Sequence, residues 1–235
     1  MSIIHVIMYI KNKKNPFKKM NFDKNREMMI ENQLRPNKIT NITLLDTFNR
    51  VSKEKFIYED NLNICYSDQD ISIFGNRGYL KNLHLAQILH FADIKNNEKV
   101  LHIGGLTGYL SVLISKLCKE IYVTEEDEKS LDNINKNFAE NKVTNGYVYK
   151  NNLVEGLSEK EPFDLIIIDC PQYSINLNLL NQINVGGRLI YIEKLNNDLS
   201  KAYKMTKYKN NYSKDFLFDV FSNFYLEKKE ESFNF

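Results

Sequence analysis

The stretch Val100-Leu-His-Ile-Gly-Gly-Leu-Thr-Gly-Tyr109 constrains this chain more than any other. It begins as an apolar, β-branched run, passes Gly104, Gly105 and Gly108, and enters residues 110–117, whose apolar spacing suits a helix. The pattern is strand, tight glycine turn, helix. Glycine has no Cβ and tolerates positive φ, so such a turn lets backbone N–H groups at a helix start come close to a nucleotide-like ligand. Alone, the turn fits ordinary loop chemistry equally well. Residues at fixed distances downstream decide its meaning.

From this point strand and helix patterns alternate. Strands are predicted at 100–103, 121–124, 147–150, 163–169 and, after a Gly186-Gly187 turn, 188–192, with helices to about Leu117 and over 129–141. The uninterrupted run from Leu165 to Ile168 is what a strand buried on both faces looks like. The succession implies a mostly parallel, helix-covered sheet. In the tail, Tyr203, Met205 and Tyr208, then Phe216, Phe218 and Val220, alternate on either side of Asn210-Asn211 and predict an antiparallel hairpin on one sheet edge.

Upstream, the spacing predicts a short amphipathic helix over 23–34 stopped by Pro36. A second, capped by Thr40 or Asn41, carries Leu44, Leu45, Phe48 and Val51, and both helices serve packing. Residues 54–74 read as loop with brief extended pieces. Residues 74–81 form a second glycine-bearing turn, after which Asn82 is expected to cap an apolar helix. His84 and His90, on or near that helix, lack partners at metal-ligand spacing and are assigned structural roles. Residues 1–20 are expected to be a poorly ordered extension, too short in its apolar run to cross a bilayer, with Met20 an alternative start. The expected organisation is one compact domain in which an N-terminal helical and loop region (21–98) joins the core (99–235).

Composition narrows the partners. In 235 residues, 32 Lys and Arg are interspersed with 30 Asp and Glu for a net charge of +2, which leaves no concentrated basic face for nucleic acid. Three widely spaced cysteines, Cys65, Cys118 and Cys170, fit packed free thiols in a reducing compartment. A cytoplasmic monomer with no metal, membrane or nucleic-acid partner is expected.

Ligands of open parallel sheets bind outside the carboxyl ends of the strands, near the switch in strand order. Three such ends carry suitable groups: the turn from Gly104 to Gly108, Glu125 twenty-one positions after Gly104, and Asp169 with Cys-Pro-Gln172 behind it. A carboxylate at Glu125 suits both ribose hydroxyls of a nucleoside. The alternative is that Glu125, Glu126 and Asp127 form a bare solvated charge cluster. A dinucleotide is disfavoured, because Gly104 to Gly108 lacks the G-x-G-x-x-G that seats a pyrophosphate. The turn instead resembles the G-x-G-x-G of S-adenosylmethionine-dependent methyltransferases, with Leu106 in place of the middle glycine.

The resemblance becomes specific in Asn32-Gln-Leu-Arg-Pro36, Val51-Ser-Lys-Glu-Lys-Phe56, Tyr66-Ser-Asp68, the stretch 100–109, Glu125, residues 152–156, Pro162-Phe-Asp164 and Gly186-Gly-Arg-Leu189. Together these resemble protein-L-isoaspartate O-methyltransferases, much as in the diverged relatives carried by α-proteobacteria. The resemblance implies a Rossmann-like class I methyltransferase fold, a mostly parallel twisted sheet with helices on both faces and a C-terminal antiparallel hairpin. It also implies S-adenosyl-L-methionine as cofactor and methyl transfer to isoaspartyl carboxylates of a protein or peptide substrate. Carried over by position, His102, Gly104, Gly105, Leu106, Gly108, Glu125, Glu126, Asn152, Leu153 and Asp169 line the cofactor, and Asn76, Arg77, Gly78 and Tyr79 form the substrate loop. His102 stands in place of an acidic residue, and Gly75-Asn-Arg-Gly-Tyr-Leu-Lys81 replaces the family's G-Q-T-I-S-x-P with its two hydroxyls. No residue is assigned as catalytic. Arg77 either pairs with an acceptor carboxylate in place of those hydroxyls or is a plain exposed surface residue. A methyltransferase of changed substrate and a non-catalytic binding module are the alternative functions.

Overall fold

A seven-stranded sheet in the order β5-β4-β3-β6-β7-β8-β9 forms the spine of the protein, a computed structural model of which describes residues 20–226. Its strands are β3 (Lys99–Ile103), β4 (Glu120–Glu125), β5 (Gly146–Lys150), β6 (Phe163–Ile168), β7 (Ile183–Lys194), β8 (Leu199–Lys207) and β9 (Tyr212–Phe221). The first five are parallel; β8 pairs antiparallel with β7, and β9 antiparallel with β8. The chain runs outward from β3 through β4 to β5, then returns to β6 on the other side. The switch in strand order therefore falls between β3 and β6, where crossovers on opposite sides leave a crevice at the carboxyl ends.

Before the sheet come α1 (Phe22–Met29), α2 (Ile42–Arg50), the short hairpin of β1 (Ile71–Phe74) and β2 (Arg77–Tyr79), and α3 (Asn82–Ala92); α4 (Tyr109–Ser115) follows β3, and α5 (Glu128–Glu140) follows β4. One apolar cluster joins these helices to alternate sheet residues such as Val100, Val123, Ile167 and Ile190. The opposite face, with Leu101, Ile166, Ile168 and Tyr191, is covered by Leu153 and Leu157 from the segment that follows β5 and by Leu179 and Leu180 from the helical turn Leu177–Leu180.

Local chemistry accounts for most boundaries. The Asn41 side chain accepts the Leu44 N–H at 3.0 Å and caps α2, a bond worth about 1 kcal/mol. Asp127 likewise caps α5 through Ser130. Four details differ from the sequence reading. Residues 30–34 widen into a π-helical turn before Pro36, and the stretch read as loop contains the helical turns Lys53–Phe56 and Glu59–Ile64. Asn82 does not cap α3; its side chain accepts from the buried Lys53 ammonium at 2.7 Å and donates to the carbonyls of Cys65 and Ser67. Gly186 and Gly187 lie inside β7, where the register with β6 shifts, and a Cβ at Gly187 would stand 2.7 Å from the Asp164 carbonyl oxygen, so the close approach there calls for glycine.

Candidate functional site

The glycine turn leaves β3 at the switch point. Gly104 adopts φ +84° and Gly108 φ +94°, and Leu106 is itself in the left-handed region at φ +54° with its side chain buried. That conformation suits glycine, so Leu106 holds it against a cost of about 1–2 kcal/mol. Gly105 allows β4 and α5 to close on the turn: a Cβ there would meet Val123 at 2.5 Å and Ile134 at 2.9 Å.

Glu125 ends β4 beside the turn and is fully buried. Its carboxylate accepts four hydrogen bonds: from the Leu106 N–H (3.0 Å), the Glu126 N–H (3.1 Å), and the two terminal nitrogens of Arg77 (2.5 and 3.1 Å). Burial alone would lower the Arg77 pKa, but the hydrogen bond and charge of Glu125 outweigh it and raise it, so the guanidinium stays charged. Arg77 is thus no exposed residue: it is 8% accessible, packs on the Phe74 ring at 5.3 Å, and lies over the turn. A Cβ built on Gly104 would stand 2.9 Å from Arg77 Nη2.

Tyr79, next on the same hairpin, ties it to the turn. Its hydroxyl accepts the Tyr109 N–H at 3.0 Å and lies 2.7 Å from Thr107 Oγ1, which donates to the Phe56 carbonyl at 2.7 Å. The C-terminal segment closes the mouth. Tyr225 N–H donates to the Asn76 carbonyl (3.0 Å), Leu226 N–H to that of Pro171 (2.7 Å), and the Phe224 ring covers Gly78. Thr107, Phe224 and Leu226 were not foreseen from sequence; the apolar run 224–226 beyond the last strand was the available signal for the last two.

On the other side of the switch point, His102 Nδ1 lies 2.8 Å from Ser111 Oγ and Nε2 lies 3.3 Å from Asp169 Oδ1, all three buried. The order Ser, His, Asp matches a hydrolase triad, yet Ser111 is fully enclosed within α4, out of reach of any substrate. The arrangement fixes the imidazole and places a carboxylate, Asp169, at the end of β6. Glu126 turns outward, and its carboxylate accepts the Leu153 N–H at 3.0 Å; exposed Asn152 spends its Oδ1 on the Val154 N–H. Burial pushes the Cys65, Cys118 and Cys170 thiols up to about 12, so none is a poised nucleophile. Among the described residues no group of three His, Cys, Asp or Glu is arranged to hold a metal ion, and no helix is long and apolar enough to cross a membrane.

A glycine turn at the switch point with an acidic residue closing the adjacent strand defines a class: Rossmann-like proteins that bind a nucleoside-containing cofactor, here with the antiparallel terminal strands of a methyltransferase. A profile of the protein-L-isoaspartate(D-aspartate) O-methyltransferase family matches residues 24–218, and the chain belongs to that family of S-adenosylmethionine-dependent methyltransferases. It is 25% identical over 169 residues to a protein-L-isoaspartate O-methyltransferase of Syntrophus aciditrophicus, covering 72% of this chain and 78% of that one. It is 25% identical over 189 residues to one of Petrotoga mobilis, covering 80% and 88%. Among solved structures, a putative protein-L-isoaspartate O-methyltransferase of Plasmodium falciparum in complex with S-adenosyl-L-homocysteine shares the fold at a TM-score of 0.73, with 22% identity over 87% of this chain and 99% of that one. A second protein-L-isoaspartate O-methyltransferase also gives 0.73, at 18% identity over 85% of this chain; the chain spans just under two thirds (65%) of that structure's length.

The residues present match the cofactor in kind. Glu125 is a buried carboxylate, Gly104 and Gly108 present backbone without side chains, and Asp169 is a second buried carboxylate one strand away from His102. The space directly over Gly104, however, is taken by Arg77, with Leu226 Cδ1 3.7 Å from the same point.

Proposed function

We propose that this protein is an S-adenosylmethionine-dependent carboxyl O-methyltransferase acting on isoaspartyl side chains of proteins or peptides. The observation that carries the reading is the juxtaposition of Gly104, at φ +84°, with the buried Glu125 carboxylate at the neighbouring strand end, in a chain matched to the family over 24–218. In this reading Glu125 holds the ribose. Gly104, Gly105, Leu106 and Gly108 line the methionine part together with His102 and Asp169, and Glu126, Asn152 and Leu153 border the adenine.

When bound, S-adenosylmethionine supplies a methyl group on a cationic sulfonium. An acceptor carboxylate is already ionised at neutral pH, so the chain needs no general base. Its own work is to orient the carboxylate for in-line approach and to keep water out. The hairpin residues Asn76, Arg77, Gly78 and Tyr79, with Phe224 and Leu226 above them, are the walls that do so. Arg77 is the proposed charge-assisted partner of the acceptor, replacing the family's loop hydroxyls. Three buried thiols suit a cytoplasmic setting.

The test is transfer of labelled methyl from S-adenosylmethionine to an isoaspartyl peptide, with the aspartyl peptide as control. Base-labile label on the isoaspartyl peptide alone is expected; absence of transfer despite cofactor binding would remove the repair activity. A second reading, a family member that binds a partner without methyl transfer, is favoured by the position of Arg77 over Gly104. It requires that no methyl group reaches any acceptor, whether or not the donor binds.

A further inference from the structure

The two features that would receive the nucleoside, the Glu125 carboxylate and the open backbone of Gly104, are both engaged by one side chain of the same protein. Arg77 gives Glu125 a two-pronged ion pair, and Arg77 Nη2 stands 2.9 Å from the point where a Gly104 Cβ would be. A carboxylate with four donors has no lone pair left for ribose hydroxyls. The guanidinium is also cationic. It holds a site whose two carboxylates, Glu125 and Asp169, would otherwise favour an incoming sulfonium, so ligand and side chain compete for the same negative charge.

The hold has visible supports and a visible weakness. Arg77 sits one residue past the hairpin tip, Gly75-Asn76, where Gly75 has open space around it. The tip is strapped by the Tyr225 N–H on Asn76, and the strap continues through Leu226 onto Pro171. The Phe224 ring lies against Gly78, so the strap is packed on the hairpin that carries Arg77. Yet Arg77 Nε is buried with no partner, so the guanidinium is not fully satisfied where it lies.

We propose that Arg77, backed by the strap Ser222–Leu226, is a latch on the cofactor seat, which a nucleoside ligand opens by displacing Arg77 from Glu125. This rests on the methyltransferase reading above. It makes the cofactor-free protein closed and couples cofactor entry to release of the arginine that faces the acceptor.

Titration calorimetry with S-adenosylhomocysteine on the full chain tests it. Arg77→Ala is expected to bind at least ten-fold more tightly than the unsubstituted protein, and Arg77→Lys, which keeps the charge but loses the fork, several-fold more tightly. Because Arg77→Ala leaves Glu125 buried without its partner and can impair folding, a second measurement uses the unaltered protein. Amide exchange at Tyr225 and Leu226 is expected to speed up at least ten-fold at saturating S-adenosylhomocysteine. Equal, measurable affinities in all three proteins, or unchanged exchange with ligand bound, overturn the latch and leave the methyltransferase reading standing. No binding by any of the three overturns both.

Discussion

The hydroxyl of Tyr79 lies 2.7 Å from that of Thr107, and the two complete a relay: Tyr109 N–H to Tyr79, Tyr79 to Thr107, Thr107 to the Phe56 carbonyl. Each hydroxyl both accepts and donates, so three segments distant in sequence, at Phe56, Tyr79 and Thr107–Tyr109, meet at the glycine turn with every group of the relay paired. Burial pushes the Tyr79 pKa up, which keeps its proton in place for the relay.

Tyr79→Phe removes the middle of this relay without changing shape. It strands the buried Tyr109 N–H, a loss of about 1–2 kcal/mol. At this chain length that lowers the melting temperature by about 4 °C. Calorimetric melting checks it, and an unchanged midpoint would mean that water replaces the hydroxyl.

Arg77 and Glu125 give a second prediction. Glu125→Ala leaves the guanidinium buried and unpaired and is expected to cost about 3–5 kcal/mol of stability. In Arg77→Ala/Glu125→Ala the loss is expected to be smaller than the sum of the two single losses by about 1–3 kcal/mol, because the second substitution removes the stranded charge. Urea unfolding of the four proteins completes the cycle. Strict additivity would show that the pair is not formed in solution.

The sheet was legible from sequence, and the closing of its crevice was not. Unbroken apolar runs such as Leu165–Ile168 announce buried parallel strands through composition alone, and the glycine turn and Glu125 are local patterns at a fixed distance. The ion pair that fills the crevice joins residues 48 positions apart, and the strap returns from the terminus to the hairpin. Neither has a local signature. Arg77 could be read as an exposed residue or as a partner for a peptide carboxylate, because a lone arginine between Asn76 and Gly78 does not reveal its partner. Gly186-Gly187 misled for a related reason: glycine pairs mark turns and strand irregularities alike, and only pairing with β6 distinguishes them.

Leu106 poses a contest of magnitudes. Leu106→Gly relieves the left-handed backbone at φ +54°, a gain of about 1–2 kcal/mol. It also deletes a side chain only 2% exposed, and removing a buried Leu side chain costs about 2–5 kcal/mol. The cavity wins, so the variant is expected to be less stable by roughly 2 kcal/mol, measured as a lower urea midpoint at unchanged slope. A rise in the midpoint would show that the turn is strained beyond what its dihedral implies.

His84 sets the response to acid. It stacks on Phe218 at 5.7 Å, is 5% exposed, and its Nδ1 has no partner. Burial first, then the Lys81 charge, lower its pKa to about 4, against the smaller opposing pull of Asp68. With the folded value below the unfolded one, the unfolded chain binds the extra proton first as pH falls. Stability is therefore lost from about pH 6.5 down to about pH 4 and is level with respect to this group on either side. The full loss is about 3 kcal/mol. His84→Phe keeps the stack on Phe218 and has no proton to take up. The stability of the unsubstituted protein relative to this variant should therefore fall by that amount between pH 7 and pH 4, while carboxylates common to both cancel. Parallel stability curves for the two proteins over that range would show that the imidazole is hydrated in the folded state and carries no such penalty.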